Sequence, residues 1–312
     1  MADILFIKTS SLGDVIHHMP ALTEAHRALP NARFTWVVEE AFAPLVKMHP
    51  AVDAVIPVAW RRWRNALYAP STLREIAANL RMIRGRHYDA VIDSQGLVRS
   101  GAIARVAHGK RHGYDSDSIR EPMASIFYNV RHHVSRDLHA IERNRILTGM
   151  ALGYAPAGAA DFGLKREHLQ RPGEDYAVLL HATARAEKEW PEQNWIALAR
   201  ALAVPVVLPW GSDTERQRSE RIAAALPDAR VPPRLPLDEV GAMIAAARFV
   251  VGVDTGLSHL AAAFGVPLVT IFAGSRPDLT GPVGDGPIAV LGTDAAPPSV
   301  DEVVQATRAL AR

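Results

Sequence analysis

Short apolar runs alternate with longer amphipathic stretches along the first half of the chain. The apolar runs predict strands, whereas stretches in which apolar residues recur every three or four positions predict helices. The predicted strands are 3–7, 34–39, 54–58 and 90–93, and the predicted helices are 14–29, 41–48, 71–84 and 98–107. This order of elements is typical of a parallel sheet covered by helices on both faces.

The same alternation begins again in the second half. Strands are predicted at 177–181, 204–208, 249–253 and 268–272, and helices at 195–203, 215–226, 237–247, 259–264 and 300–311. Residues 156–174 contain Ala, Pro and Gly clusters that predict a linker. We therefore expect an α/β fold with two Rossmann-like, doubly wound domains, residues 1–155 and 175–312. Ligands of such sheets bind beyond the carboxyl ends of the strands, so we expect a nucleotide-binding cleft between the domains.

The length of 312 residues agrees with two domains, and a hydrophobic content of 48% is sufficient for two cores. No apolar run reaches the 18 or so residues that a membrane-spanning helix needs. The first residues enter a predicted strand without a basic segment, so we expect no signal peptide. The absence of cysteine excludes disulfides and thiolate metal sites, and it is compatible with a cytoplasmic protein.

Charge divides unevenly between the halves, although the net charge is only +2. Residues 1–155 contain 20 Lys and Arg against 14 Asp and Glu, whereas residues 156–312 contain 15 against 19. A first half with a charge of +6 favours an anionic partner on that side.

The apolar run 249–253 ends at Asp254 and is followed by Thr255-Gly256 and a predicted helix. Backbone N–H groups and the helix dipole attract anions at such a helix start, and a glycine allows a ligand to approach the backbone. An ordinary strand-to-helix turn, with Asp254 as a cap, is equally compatible with the spacing. The chain lacks the G-x-x-x-x-G-K-[ST], G-x-G-x-x-G, H-E-x-x-H and G-x-S-x-G motifs of ATPases, dehydrogenases, zinc proteases and hydrolases.

Seven short segments resemble, in the same order, the bacterial lipopolysaccharide heptosyltransferases. They are Lys8–Val15, Trp36–Glu40, Arg61–Arg64, Asp93–Val98, His181-Ala182-Thr183 with Lys188, Trp190-Pro191-Glu192, and Asp254–His259. The likeness runs from about residue 3 to about residue 275. It is greatest to the member that adds the first heptose to the Kdo sugars of lipid A from ADP-heptose. The resemblance implies the GT-B architecture, with the acceptor in the first domain and the nucleotide sugar in the second.

The resemblance also implies that Asp14 is the catalytic base of an inverting transfer, which takes the proton of the acceptor hydroxyl. The start of a helix stabilises the ionised carboxylate and so weakens it as a base. That conflict eases if the proton moves late in the reaction. A helix cap is the alternative role of this residue.

Donor contacts are implied for a set of residues in the second half. They are Thr183, Lys188, Glu215, Leu235, Asp254, Thr255, Gly256, Leu257 and His259. Lys188 would meet the diphosphate as a point charge. Glu215 would either accept hydrogen bonds from the ribose or cap its helix. Ala184 departs from relatives that often have a second hydroxyl residue after Thr183, which calls one phosphate hydrogen bond into question.

Acceptor contacts are implied for residues of the first half. They are Lys8, Ser10, Ser11, Arg61, Arg62, Arg64, Gln95 and Arg120. The stretch Trp60–Arg64 combines three guanidinium groups with two indoles, which suits Kdo carboxylates and lipid A phosphates. A nucleic-acid patch has the same ingredients, but nothing else in the chain supports it. The expected partners are therefore ADP-heptose, Kdo–lipid A and the anionic inner face of the inner membrane, for a monomeric, cytoplasmic, peripheral protein.

We expect no metal cofactor. The only D-x-D sequence is Asp115-Ser116-Asp117, which follows a polar stretch in the acceptor half. It predicts a solvated loop that starts a helix near Ser118, with Asp as the cap. The diphosphate charge has other candidate partners in Lys188, Thr183 and the helix start at 255–259.

Three other functions remain open from the sequence. A second heptosyltransferase would use the same donor on a heptosylated acceptor, and a nucleotide-sugar epimerase would use the same fold without a lipid. A catalytically silent binding protein is a non-enzymatic alternative, against which Asp14 and Lys188 argue. The segments Arg61–Arg64 and Asp93–Leu97 favour transfer of the first heptose.

Overall fold

The computed structural model describes residues 1–166, 169, 175–183, 189–272, 277–293 and 296–310. At residues 277 and 278 it describes the backbone only. The chain forms two compact units, Met1–Gly163 and Leu164–Arg312. The boundary between them falls within residues 156–174, where the sequence predicts a linker.

The first unit is built on a six-stranded parallel sheet. Its strands are β1 (Asp3–Ile7), β2 (Arg33–Glu39), β3 (Ala54–Val58), β4 (His87–Asp93), β5 (His108–Tyr114) and β6 (Val130–His132). They are arranged in the order β3-β2-β1-β4-β5-β6, with parallel pairing throughout. This is the doubly wound Rossmann order, and its reversal point lies between β1 and β4.

Seven helices surround this sheet. They are α1 (Leu12–Ile16), α2 (Met19–Ala28), α3 (Ala43–Val46), α4 (Trp60–Trp63), α5 (Pro70–Arg84), α6 (Val98–Val106) and α7 (Ala140–Leu152). A 3₁₀ helix at Pro122–Phe127 packs against α6, which also contacts α5. Helices α2 and α7 pack together as a separate pair.

The continuous helix predicted at 14–29 is wrong. The structure divides it into α1 and α2, with a break at His17 and His18. Pro20 lies in the first turn of α2 and explains the break. A proline lacks the N–H that would bond to Ile16 and clashes with the preceding turn, so a helix starts at this position more easily than it continues through it.

The second unit repeats the topology of the first. Its strands are β7 (Ala177–Leu180), β8 (Val206–Val207), β9 (Ala229–Arg230), β10 (Phe249–Val253), β11 (Leu268–Ile271) and β12 (Ile288–Leu291). Their order is β12-β11-β10-β7-β8-β9, again with parallel pairing. The reversal point here lies between β7 and β10. The predicted class of two doubly wound domains is therefore confirmed.

The helices of the second unit are α8 (Glu192–Leu202), α9 (Asp213–Ala224), α10 (Leu237–Ala246), α11 (Gly256–Ala263), α12 (Pro277–Thr280) and α13 (Val300–Leu310). Trp190 and Trp195 meet edge to face in the core, with ring centroids 5.2 Å apart. The indole N–H of Trp190 donates to the Pro298 carbonyl oxygen over 3.0 Å, which ties the segment before α13 to this core. Within the described ranges, no helix combines the length and hydropathy needed to cross a bilayer.

Some elements differ from the predicted ones. Strands β5, β6, β9 and β12 and helices α4, α7 and α12 are not among the predicted elements, and the helix expected near Ser118 is absent. Instead, Asp115 closes a turn by accepting from the Ser118 amide over 2.9 Å and from its hydroxyl over 2.6 Å. Strand β5 has the sequence HGKRHGY, and only its last three residues are buried. It therefore lacks the apolar run by which the other strands were predicted.

A buried ion pair joins α2 to α7. Arg145 donates to Glu24 Oε1 through Nε at 3.0 Å and Nη2 at 2.5 Å. The same guanidinium reaches Glu142 at 2.6 Å and the carbonyl oxygens of Ala157 and Gly158 at 3.1 and 2.9 Å. The planar guanidinium group of Arg145 thus links α7 to α2 and to the chain that follows α7.

Candidate active site

The loops after β1 and β4 are tied together at the reversal point of the first sheet. The side-chain oxygen of Gln95 accepts from the Thr9 amide over 2.9 Å and from the Ser10 amide over 3.0 Å. Lys8 Nζ donates to the Ser94 carbonyl oxygen over 2.8 Å. Because these bonds span about 85 positions of sequence, the loop that leads to Asp14 is held by the loop that follows β4.

Asp93 holds the second loop in turn. Its Oδ1 accepts from the Gln95 amide at 2.9 Å and from the Gly96 amide at 3.3 Å, while Oδ2 accepts from the Tyr128 hydroxyl at 2.8 Å. Gly96 adopts φ +68°, a left-handed conformation that favours glycine. Burial raises the pKa of the Asp93 carboxyl, and its hydrogen bonds counteract part of this rise. Burial also raises the pKa of the Tyr128 hydroxyl.

Asp14 lies in the first turn of α1 and caps it. Its Oδ2 accepts from the Ser11 amide over 2.7 Å and from the Ser11 hydroxyl over 3.1 Å. Both bonds use one oxygen of the carboxylate. The capping role considered from sequence is therefore observed, and neither of its two hydrogen bonds uses Oδ1.

A cavity of about 760 Å³ in the first unit brings together five of the predicted site residues, Ser10, Ser11, Asp14, Gln95 and Arg120. The rest of its lining comes from Trp60, Leu97, Val98, Arg99, Ala102 and Glu121. Arg99 was missed by sequence reasoning. Its Nη2 donates to the Ser10 hydroxyl over 2.8 Å, and the signal that could have found it is its position at the start of the helix after Asp93.

Lys8 lies inside the loop structure and does not line the cavity. It is buried, and its Nζ is used for the bond to the Ser94 carbonyl oxygen. Desolvation lowers its pKa, while Asp14 and Asp93 act in the opposite direction. The structure thus gives Lys8 a role in holding the loops, and its acceptor contact stays a prediction.

The three predicted arginines of α4 and its C-cap lie outside the cavity lining, although their neighbour Trp60 belongs to it. Arg62 pairs with Glu75 at 2.6 Å and with Glu40 at 3.0 Å. These hydrogen bonds raise the pKa of Arg62, and the one from Arg62 lowers the pKa of Glu75 to about 2. Arg61 stacks over the Phe42 ring at 5.2 Å, and Arg64 is exposed.

In the second unit, predicted donor residues meet where β7 and β10 end side by side. The Thr183 hydroxyl donates to the Asp254 carbonyl oxygen over 3.4 Å. His259 Nε2 lies 3.7 Å from Asp254 Oδ1, and both side chains are largely buried. Thr183, Asp254 and His259 therefore form one cluster beyond the carboxyl ends of the two strands, where ligands of doubly wound sheets bind.

Helix α11 begins at Gly256, with Thr255 as its N-cap residue, three positions earlier than predicted. The start of the helix packs tightly on β10, and the Ser258 side chain fills the space that a Cβ at position 252 would need, so this position suits glycine. The Ser258 hydroxyl donates to the Val253 carbonyl oxygen over 2.7 Å. Thr255, Gly256 and Leu257 thus place the positive end of the helix dipole beside Asp254 and Thr183.

His181, between β7 and Thr183, is buried and bonded to Ser219, with Nε2 and Oγ 2.8 Å apart. Burial lowers its pKa to about 4, and Arg218 contributes to the lowering. A neutral imidazole at this position supports the end of β7 without adding charge to the cluster.

Two further donor predictions lie elsewhere in the second unit. Glu215 caps α9, since its Oε2 accepts from the Gly211 amide at 2.7 Å and from the Ser212 amide at 3.3 Å. Leu235 lines a cavity of about 620 Å³ between the segment after β9 and helix α10. Lys188 lies outside the described residues, as does the departure at Ala184.

The D-x-D sequence forms part of a structural turn. Besides Ser118, Asp115 contacts His133 Nδ1 at 2.9 Å. In the described part of the chain, no group of three or more His, Asp or Glu side chains is arranged to hold a metal ion.

Two Rossmann-like units in one chain, together with a close structural match to E. coli heptosyltransferase WaaC, assign the chain to the glycosyltransferases of the GT-B class. The chain belongs to glycosyltransferase family 9, the heptosyltransferases, whose model matches residues 76–307. The expectation drawn from the seven segments is thereby confirmed.

Proteins named lipopolysaccharide heptosyltransferase 1 match nearly the whole chain. Lipopolysaccharide heptosyltransferase 1 of Salmonella typhimurium is 46% identical over 92% of this chain and 93% of its own length. The Pseudomonas aeruginosa protein of the same name is 46% identical over 93% of this chain and 84% of its own length. The structure of E. coli heptosyltransferase WaaC with ADP has a TM-score of 0.91 and 42% identity, and the match covers 97% of this chain and 98% of that one.

Proposed function

We propose that this chain transfers L-glycero-D-manno-heptose from ADP-heptose to a Kdo residue of Kdo–lipid A, with inversion at the anomeric carbon. The observation that carries this proposal is the near full-length similarity to proteins named lipopolysaccharide heptosyltransferase 1. By contrast, the sequence match to lipopolysaccharide heptosyltransferase 2 of E. coli covers 31% of this chain, and the structure of E. coli heptosyltransferase II is 21% identical to it. A similar structure, of E. coli WaaC with ADP-2-deoxy-2-fluoro heptose, supports the choice of donor.

In the proposed reaction Asp14 is the base. Oδ2 keeps its hydrogen bonds to Ser11, and Oδ1 takes the proton of the acceptor hydroxyl in the 760 Å³ cavity. The bonds from Gln95 to the amides of Thr9 and Ser10 hold the loop that leads to this base. A fixed position matters because the base must lie within hydrogen-bond reach of the attacking hydroxyl.

The leaving ADP is proposed to bind at the Thr183, Asp254 and His259 cluster. The start of α11 offers amides and a positive dipole end to the diphosphate, and Lys188 adds a full charge. Glu215 keeps Oε2 on its cap and would offer Oε1 to the ribose. The apolar walls of the cavity beside Leu235 suit the adenine ring.

The anionic acceptor is proposed to meet Arg120 in the cavity and Arg61 and Arg64 beside it. Arg62 would have to exchange Glu40 or Glu75 for an acceptor group, so we assign it the smaller contribution to acceptor affinity. A lipid-linked acceptor implies peripheral contact with the anionic cytoplasmic face of the inner membrane. The chain is proposed to act there as a monomer.

The transfer is proposed to need no divalent metal, since the amides at the start of α11 and the charge of Lys188 would stabilise the diphosphate. We expect turnover to survive excess EDTA, and we expect the Asp115→Ala/Asp117→Ala variant to keep the donor Kd of the wild type. Loss of turnover in EDTA that Mg²⁺ or Mn²⁺ restores would contradict this part of the proposal.

The choice of acceptor is tested by product mass. The enzyme is incubated with ADP-heptose and an equimolar mixture of Kdo–lipid A and its monoheptosylated form. We expect one heptose to be added to Kdo–lipid A while the heptosylated lipid stays unchanged. Addition of heptose to the second lipid alone would assign the chain to the second transfer step instead.

A further inference from the structure

Helix α5 buries two polar residues and exposes two leucines. It buries Thr72 and Asn79, which are 6% and 8% exposed, beside Ile83. In contrast, Leu73 is 55% exposed and Leu80 is 36% exposed. A surface helix of a soluble domain normally buries its leucines and exposes its polar residues. The exposed leucines therefore indicate that an apolar partner covers this face of α5.

The exposed leucines lie on a single face of α5. Leu73, Ala77, Leu80 and Arg84 follow one another at intervals of four, three and four residues, which places them in one stripe along the helix.

The loop that leads into α5 continues the exposed apolar character. Tyr68 is 98% exposed and Leu67 is 41% exposed, between α4 and α5. Trp60, at the start of α4, is 39% exposed. Tyrosine and tryptophan are the residues enriched where a lipid bilayer meets water.

The residues 60–86, which we name the 60–86 segment, also carry a dense positive charge. They contain seven arginines and one glutamate, a net charge of +6. The glutamate, Glu75, is already paired with Arg62. The other arginines of the segment are Arg61, Arg64, Arg74, Arg81, Arg84 and Arg86, and all are exposed.

We propose that the 60–86 segment docks this protein onto the surface of an anionic lipid bilayer. Tyr68 and the leucines of α5 enter the boundary between headgroups and acyl chains, and the arginines bind lipid phosphates. The inference rests on the proposed function, because it names the surface that makes the membrane contact included there. Trp60 belongs both to this segment and to the lining of the 760 Å³ cavity that contains Asp14, so docking would bring lipid beside that cavity.

Charge and composition argue against other occupants of this surface. A second copy of the chain would bring one segment of charge +6 against another, and like charges repel. A nucleic acid would satisfy the arginines but would leave Leu73, Leu80 and Tyr68 in water. An anionic bilayer satisfies both groups of residues.

The test is co-sedimentation of the full chain with vesicles of phosphatidylcholine and phosphatidylglycerol, and with vesicles of phosphatidylcholine alone. Two double variants each alter one part of the surface. Tyr68→Ser/Leu73→Ser removes apolar side chains, and Arg81→Glu/Arg84→Glu reverses two positive charges. The matched controls are Met150→Ser, on α7 with 50% exposure, and Lys47→Glu, an exposed cation after α3. Neither double variant touches a residue assigned to the base, the donor or the acceptor.

We expect the wild type and both controls to bind the anionic vesicles and to ignore phosphatidylcholine alone. The Arg81→Glu/Arg84→Glu variant should lose affinity by roughly 10-fold or more, because each arginine near the surface contributes a severalfold factor. The Tyr68→Ser/Leu73→Ser variant should also bind more weakly at unchanged net charge. Equal binding by wild type and both variants, a dimer that buries this face, or a preference for duplex DNA over vesicles would each overturn the proposal.

A second readout separates this inference from the proposed function. Transfer to Kdo–lipid A in detergent micelles needs no bilayer, so both double variants should keep the kcat of the wild type there. Normal transfer with unaltered vesicle binding would refute the docking surface alone. The expected pattern of vesicle binding without any heptose transfer would refute the proposed function alone.

Discussion

Replacing Asp14 by asparagine is expected to lower kcat by roughly 10²–10⁴-fold, with ADP-heptose binding unchanged. Asparagine has nearly the same shape, and its side-chain oxygen can accept from the Ser11 amide and hydroxyl as Asp14 Oδ2 does, at 2.7 and 3.1 Å. The cap of α1 therefore survives, while the group that takes the proton is lost. The measurements are steady-state kinetics and calorimetric titration of the donor.

Asp115→Asn provides the matched control for this substitution. Asp115 also closes a turn of the first unit, by accepting from the Ser118 amide and hydroxyl at 2.9 and 2.6 Å, but it does not line the cavity. We expect its kcat to stay near that of the wild type. If Asp14→Asn turned over at a near-normal rate as well, Asp14 would be a helix cap and another group would be the base.

Replacing Arg145 by alanine is expected to lower the free energy of unfolding by about 3–5 kcal/mol. The substitution leaves Glu24, itself 9% exposed, buried without its cation. It also removes the donors to the Ala157 and Gly158 carbonyl oxygens, at 3.1 and 2.9 Å. Urea denaturation followed by circular dichroism measures the loss.

Arg27→Ala is the matched control, because Arg27 also joins α2 to the chain beyond α7, through Asp161. The side chains of that pair are 62% and 44% exposed, so solvent screens the interaction. We expect a cost of less than about 1 kcal/mol. Replacing the buried pair by Glu24→Leu/Arg145→Met should recover much of the stability, since no buried charge is then left alone. Equal losses in Arg27→Ala and Arg145→Ala would contradict this account.

The architecture could be predicted from local pattern, whereas the individual site residues were predicted from the resemblance to the heptosyltransferases. Apolar runs identified the central strands of both sheets, and within each sheet the residues that follow neighbouring parallel strands lie at the same edge. Ser10, Asp14 and Gln95 therefore meet in one cavity, although they are separated by up to 85 positions. Edge strands such as β6 and β12 are short and partly exposed, so they lack the pattern that a sequence search detects.

The partners of individual side chains could not be predicted, because they depend on contacts between distant residues. The residues around Arg62 in the sequence do not predict its ion pairs with Glu40 and Glu75, which are 22 and 13 positions away. The pairing of Glu24 with Arg145 spans 121 positions. The two roles weighed for Glu215 could be told apart only in part, since the structure shows the cap and leaves the ribose contact as a prediction.

The most direct test of the central claim is release of ADP from ADP-heptose, measured with and without Kdo–lipid A. If the chain is the proposed transferase, ADP appears only when the acceptor is present, in a one-to-one ratio with heptosylated lipid. ADP release without acceptor, a changed sugar still attached to ADP, or donor binding with no turnover in either mixture would contradict it.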